Sequence, residues 1–259
     1  MIRYVRTAGC VLLALLPSVL KVPLYRLLFG YRIGRGVRIG FSPFIGVRRC
    51  RIGDHVRIGH FNVFLRVEQL EIGCHARVGF LNLVRGGRRV CLGDYVTVLR
   101  QNVFNSIVEP DMVNPVDPVL DLGPGAVVTS GHWLDFTDRI TVGAHSIIGG
   151  RNSSFWTHNR QVGRPIQVGY HCYLGSEVRV APGVEVPPLC IVALGSVLMG
   201  RTDQPRVLLG GNPAKILRAL QERDLVLLTR KTRKDIPDEV ASALLAEGPV
   251  GATSAPAAS

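Results

Sequence analysis

Aromatic side chains are scarce, at 7% of 259 residues, and tryptophan occurs twice. Glycine, at 29 residues, is abundant. That balance suits a chain turning often through tight corners and disfavours a thick helical core. No C-x-x-C pair occurs among the cysteines at 10, 50, 74, 91, 172 and 190. A zinc ribbon is therefore not indicated, nor is a disulfide framework, and buried free thiols in a reducing compartment are expected.

Long apolar runs are missing too. Residues 8–20 (AGCVLLALLPSVL) follow Arg3 and Arg6 and imitate a secretory leader. The run falls short of the roughly 20 residues needed to span a bilayer, and no A-x-A site follows it. The pattern continues with added charge through KVPLYRLLFGYR, which predicts an amphipathic helical segment over 1–31. Two readings are open for it: peripheral contact with a membrane surface, or a cap on the end of the fold. Lysine is absent from residues 26–100, where 14 arginines face four acids, Asp54, Glu68, Glu71 and Asp94. The net charge is +12. Such a surface attracts phosphate on lipid, nucleotide or glycan carrier. No nucleic-acid recognition motif accompanies it, so no nucleic-acid partner is expected.

What is present is a repeat. An aliphatic residue followed by Gly recurs at Ile33, Ile39, Ile45, Ile52, Ile58, Ile72, Val78, Leu92, Leu122, Val142, Ile148, Val168 and Leu174. Spacing within runs is six, and the apolar member persists at Val180, Val186, Val192 and Leu198. A period of six fits neither a helix nor ordinary strand alternation. It fits a triangular coil of three short faces, about 18 residues per turn, whose turns stack as parallel strands. Ile52, Ile72, Leu92, Leu122 and Val142 recur about every twenty residues, allowing for one insertion. Residues 109–118 (EPDMVNPVDP) and 158–165 (HNRQVGRP) interrupt the pattern and predict outward excursions. The expected organisation is an N-terminal helical segment (1–31), an all-β parallel β-helix (32–200), a terminal loop and helix (201–230) and a flexible tail (231–259). The terminal helix is read from GGNPAKILRALQERDLVLLTR, with Asn212 as cap and Pro213 at the first helical position.

The repeat, the segment ITVGAHSIIGGRNSSFWTHNRQ and the later RPIQVGYHCYLGSEVRVAPGVEV and GGNPAKILR together resemble the hexapeptide-repeat acyltransferases. The likeness is strongest to the galactoside and maltose O-acetyltransferases and to acetyltransferases of capsule and exopolysaccharide synthesis. It covers roughly residues 33–220. The resemblance implies a left-handed β-helix, a homotrimer of parallel prisms, and acetyl-CoA as acyl donor in the groove between two prisms. It implies direct transfer to a hydroxyl or amine with a loop histidine as general base, and neither a metal nor a covalent acyl-enzyme.

Seven histidines occur. His55, His75, His145 and His171 each stand three residues after an aliphatic anchor, in a slot that Tyr95 and Gly125 fill elsewhere; a surface role is expected for all four. His55 and His60 suggest metal ligation of the γ-class carbonic anhydrase kind, but a third ligand is lacking. His158 ends F-W-T-H at the second excursion, where the family carries its base. Imidazole titrates at about 6.5 in water and so can accept a proton at physiological pH. The resemblance gives Asp135 as its partner, with Asp138 in reserve. His132, one coil earlier in S-G-H-W-L-D, is the rival base or an acceptor-site residue. Trp156, Asn152 and Arg160 complete the expected acceptor site, the indole by stacking on a sugar ring.

Carried over by position, Tyr173, Ser176, Leu194 and Gly195 are expected along the pantetheine arm. Tyr173 stands where the family has Trp, and Leu194 where it usually has Ala. Lys215 and Arg218 are expected near the CoA 3′-phosphate, on one helix face. The expected activity is O-acetyl transfer to a glycan or glycolipid in surface polysaccharide synthesis, in the cytoplasm or at the inner face of the membrane. The alternatives are an amino-sugar or antibiotic acceptor, or a β-helix that binds a partner without catalysis.

Overall fold

The computed structural model describes residues 2–107, 112–221 and 224–228. The expected tail (231–259) and residues 109–111 of the first excursion lie outside the described residues.

The chain winds as a left-handed parallel β-helix. Strands sort into three sheets of eight, ten and eight members; each takes every third strand in order, and the ten-membered sheet adds two consecutive strands at its C-terminal end. The twenty-residue recurrence is the coil itself. Ile52 pairs with Ile72, Ile72 with Leu92, Leu92 with Leu122, and Leu122 with Val142, all in parallel register. These anchors and their equivalents at Ile39, Ile58, Val78, Ile148, Val168 and Leu174 are buried. Each aliphatic side chain thus stacks on its counterpart one coil below, about 4.8 Å away. Corner residues take left-handed backbone, among them His55, His75, Tyr95, His145 and His171.

One face departs from the expected phase. Ile45 was expected to point inward; the strand Phe44–Ile45 buries Phe44 instead and leaves Ile45 half-buried. The same register continues through Phe64, Val84, Phe104, Leu134 and Phe155. Phe44 and Phe64 stack at 4.7 Å. Four of the five buried phenylalanines, Phe44, Phe64, Phe104 and Phe155, therefore stand in one wall of the prism.

A polar ladder runs up one inner corner. Asn62 Nδ2 donates to Ser42 Oγ, Asn82 Nδ2 to Asn62 Oδ1, and Asn102 Nδ2 to Asn82 Oδ1. Each Asn Oδ1 also accepts the backbone N–H one coil above, ending with Asn102 Oδ1 and the N–H of His132. Four of the six thiols, Cys10, Cys50, Cys172 and Cys190, are buried. Burial pushes Cys50 and Cys172 up to about 12.

The N-terminal segment forms two helices, α1 (Ile2–Leu15) and α2 (Ser18–Phe29), broken at Pro17. They cap the first coil. Tyr25 packs on Phe44 and Tyr31, and the buried Lys21 ammonium donates to Ala14 O at 2.6 Å and Gly40 O at 2.7 Å. Among the described residues no helix is long and apolar enough to cross a membrane.

The terminal helix expected from Asn212 is not formed. Val207–Gly211 and Ala214–Ala219 make an antiparallel hairpin turning at Asn212–Pro213, and among the described residues after it α3 (Leu225–Leu228) is helical. Val207 and Leu209 are buried as the first strand joins the last coil in parallel pairing. That addition leaves an open sheet edge, and the second strand satisfies its backbone groups. The tertiary requirement overrides the helix propensity of AKILRAL.

Candidate active site

The two excursions interrupt the coil at the same corner and clasp each other. The N–H of Val113 donates to Gln161 O, while Asn114 donates to Gly163 O and accepts the Gly163 N–H at 2.9 Å. Within the second excursion, Asn159 Oδ1 accepts the N–H groups of Gln161 and Val162, and His158 forms a bridge with Gly163. Asp117 is held between Arg88 and Arg139, which keep its carboxyl below the usual range against the opposing effect of burial.

His158 sits on this clasped loop with its side chain 16% exposed. Its Nδ1 lies 2.7 Å from Asn159 O. A carbonyl oxygen only accepts, so Nδ1 carries the proton and Nε2 carries the lone pair. Nε2 stands 3.4 Å from Asp135 Oδ1, the partner expected from sequence. The Asp135 carboxylate is itself oriented: Oδ1 accepts the Thr137 N–H at 3.1 Å, and Oδ2 accepts Asn105 Nδ2 at 3.3 Å. Asn105, Asp135 and Trp156 stand in register on three successive coils. Asp138, the reserve partner, is engaged elsewhere, accepting the N–H groups of Asp117 and Arg139.

His132 is not at this surface. It is 1% exposed and occupies the rung above Asn102 in the polar ladder. Its Nδ1 accepts the Ser153 N–H at 3.1 Å, and its Nε2 meets Thr129 Oγ1 at 2.9 Å. Burial lowers its pKa to about 4, so it is neutral at physiological pH. The expectation of His132 as base or acceptor ligand is corrected: both ring nitrogens are consumed inside the prism. The corner histidines divide similarly. His55 and His75 stack at an exposed corner, whereas His145 and His171, stacked at 5.0 Å, are buried, and His171 Nδ1 meets Leu228 O. A surface role therefore fails for that second pair.

Trp133 and Trp156 form an open platform beside His158. Their rings stack at 5.9 Å and 24°, and both remain more than a third exposed. Arg160 lies exposed on the loop, and Asn152 on a left-handed corner at the other end of the same strand.

The residues expected to hold the donor line up along that other corner. A Cβ at Gly150 would collide with Ser176 Oγ, and one at Gly175 would press on Leu194. The Gly195 N–H donates to Ser176 O, and the Ala193 N–H to Leu209 O in the hairpin. Tyr173 packs beside Gly149. Leu194, at 76% exposed, stands at the edge of this line. Lys215 and Arg218 lie on the hairpin, so the expectation of a shared helix face is corrected. Arg218 is held by Asp224 through two contacts, at 2.5 and 3.1 Å. Lys215 has no carboxylate within ion-pair distance among the described residues and is the cation left free for a phosphate.

Sequence reasoning missed Asn105, Asn114, Thr137 and Asn159. Asn105 had a signal, since it precedes Asp135 by one coil in the repeat; the others are placed by loop folding alone.

No family model matches the chain. A Saccharomyces cerevisiae protein named for acetyltransferase activity is 33% identical over 98 residues, 38% of this chain and 41% of that protein. The Escherichia coli protein WcaF, named as a colanic acid biosynthesis acetyltransferase, is 29% identical over 127 residues, 46% of this chain and 69% of its own length. A hexapeptide transferase family protein of Anaplasma phagocytophilum superposes with a TM-score of 0.48 at 17% identity, over 68% of this chain and 89% of that one. The chain is thus a triangular coil with a six-residue repeat, similar in sequence to proteins named as acetyltransferases, and it spans less than half the length of the yeast relative.

Proposed function

We propose that the chain is an acetyl-CoA-dependent O-acetyltransferase acting on a sugar hydroxyl of a surface polysaccharide or glycolipid precursor, with His158 as general base. The observation that carries the reading is the His158–Asp135 pair, 3.4 Å apart on a clasped loop beside two exposed indoles. The acetyltransferase names of the sequence relatives supply the reaction class, and the colanic acid name of one of them the acceptor class.

In the proposed reaction the acceptor hydroxyl attacks the thioester carbonyl carbon as its proton passes to His158 Nε2. The new C–O bond forms, the C–S bond breaks, and the proton then goes to the departing thiolate of CoA. Asp135 stabilises the imidazolium formed in between. Backbone N–H groups at the groove stabilise the oxyanion. Trp156, Asn152 and Arg160 serve the acceptor; Tyr173, Ser176, Leu194, Gly195 and Lys215 serve the donor.

The donor line and His158 stand at opposite ends of the strand Ser154–Trp156. The three residues of that strand advance about 10 Å at roughly 3.3 Å per residue, and a corner lies at each end. That separation favours a homotrimer in which one protomer's donor line faces its neighbour's loop. A cytoplasmic enzyme meeting its acceptor at the inner face of the membrane is the corresponding location.

The test is thiol release from acetyl-CoA with hexoses, amino sugars and glycolipid extracts. Acceptor-dependent release by the wild type, lost in His158→Ala, supports the reading. Equal release by both proteins removes His158 as base, and absence of CoA binding in the wild type returns the chain to the class of non-catalytic β-helices.

A further inference from the structure

The N-terminal end of the prism carries a feature that acyl transfer at His158, four coils away, does not use. α2 lies over the first two coils and borders an open cavity of about 700 Å³. One wall is apolar, with Val19, Val22 and Pro23; the other is cationic, with Arg35, Arg38 and Arg57. All three arginines are exposed, and none has a carboxylate within ion-pair distance among the described residues.

The arginines are stacked in a costly way. Arg38 pairs in register with Arg57, which pairs with Arg77, and on the neighbouring face Arg32 pairs with Arg51. Adjacent strands are about 4.8 Å apart, and like charges directly opposite destabilise a sheet. Above Arg77 the same column holds Thr97 one coil higher and Val127 two coils higher. The repulsion is thus confined to the end covered by the helices, and a bound anion would relieve it.

The rim of this cavity is apolar and bare. Val19, which lines the cavity, is 75% exposed, and on the same helix Leu20, Leu27 and Leu28 are 52%, 80% and 61% exposed. Leu12 and Leu15 of α1 add two more, at 64% and 60%. Isolated exposed leucines are ordinary, but six large exposed aliphatic side chains on two adjoining helices next to unpaired arginines are an interfacial pattern. The cavity floor is fixed: Ser18 Oγ accepts the Ile39 N–H, and Arg26 donates to Ile33 O and Gly34 O.

We propose that α1, α2 and the first two coils form a docking site for an anionic phospholipid membrane. The leucines enter the acyl boundary, and Arg35, Arg38 and Arg57 hold headgroup phosphate at the cavity. A soluble polyanion would satisfy the arginines and leave the leucines in water, whereas a lipid surface satisfies both.

The test is co-sedimentation of the full chain with phosphatidylcholine vesicles, with and without phosphatidylglycerol. Expected is binding to the anionic vesicles alone, weakened by salt. The triple variant Arg35→Gln/Arg38→Gln/Arg57→Gln should bind at least about tenfold more weakly. A charge-matched control, Arg151→Gln/Arg164→Gln/Arg206→Gln, should bind like the wild type. The variant Leu20→Ser/Leu27→Ser/Leu28→Ser keeps every charge and should also lose binding. All these positions are exposed, and an unchanged melting midpoint reports an intact fold. Equal binding to neutral vesicles, equal loss in the charge-matched control, or retained binding in the leucine variant overturns the proposal; the last outcome would make the site one for soluble polyanions.

Discussion

Two histidines one coil apart make opposite use of the same kind of neighbourhood. His132 and His158 each adjoin a tryptophan-bearing strand. His132 stands at the corner where the Asn62–Asn82–Asn102 ladder climbs, so its ring replaces an amide and is sealed inside. His158 stands at the corner where both excursions leave the coil, so its ring is presented on a loop. The environment of a histidine in a coiled fold is set by which corner it occupies and only secondarily by its sequence neighbours. Asn114 and Asn159 then give the second corner a rigidity that loops lack, which a base needs in order to stay in place.

The contrast can be broken most strongly at His158. His158→Ala should lower acceptor-dependent thiol release by about 10²–10⁴-fold while leaving the melting midpoint near that of the wild type. His132→Ala should reverse the pattern, lowering stability by about 2–4 kcal/mol in urea titration through a lost acceptor for the Ser153 N–H and a cavity in the ladder. His132→Asn, which extends the amide ladder, should recover most of that loss. If His132→Ala abolishes turnover at unchanged stability, the two assignments are exchanged.

The pH dependence of stability sharpens the same comparison. Burial holds His132 at about 4, below the roughly 6.5 of an unfolded chain. The unfolded chain therefore takes up a proton that the folded one refuses between those values. Stability contributed by the neutral ring is complete above about pH 6.5 and declines as pH falls toward 4, by about 2–3 kcal/mol near pH 4.5. Urea titrations at pH 7 and 4.5 should give a smaller difference for His132→Asn than for the wild type. The smallest expected effect is at the donor end. Lys215→Ala should raise the KM for acetyl-CoA by about fivefold, as for one exposed charge contact, and Arg218→Ala by less, because Asp224 already holds that guanidinium.

The site was half legible beforehand. His158 and Asp135 were marked by the family resemblance, and the structure brings them within ion-pair distance. Asn105 was readable in principle, one coil below Asp135 in the same column. Asn114 was not, because its partner Gly163 is 49 residues away and both lie outside the repeat. The burial of His132 was hidden because the asparagines one, two and three coils below it show a ladder only after the coils are stacked.

The sequence by itself determined the period of six, the inward aliphatic columns and the two interruptions, since each follows from which residues recur and where recurrence stops. Only the tertiary structure decided the rest. It chose Phe44 over Ile45 as the inward residue, because one wall of the prism takes rings. It drew residues 207–219 into a hairpin, because the last coil leaves a sheet edge to be paired. It buried Lys21 between α1 and the first coil, where two carbonyls receive it. In each case the deciding partner is brought close by stacking or docking, and neighbouring residues in the chain carry no trace of that contact.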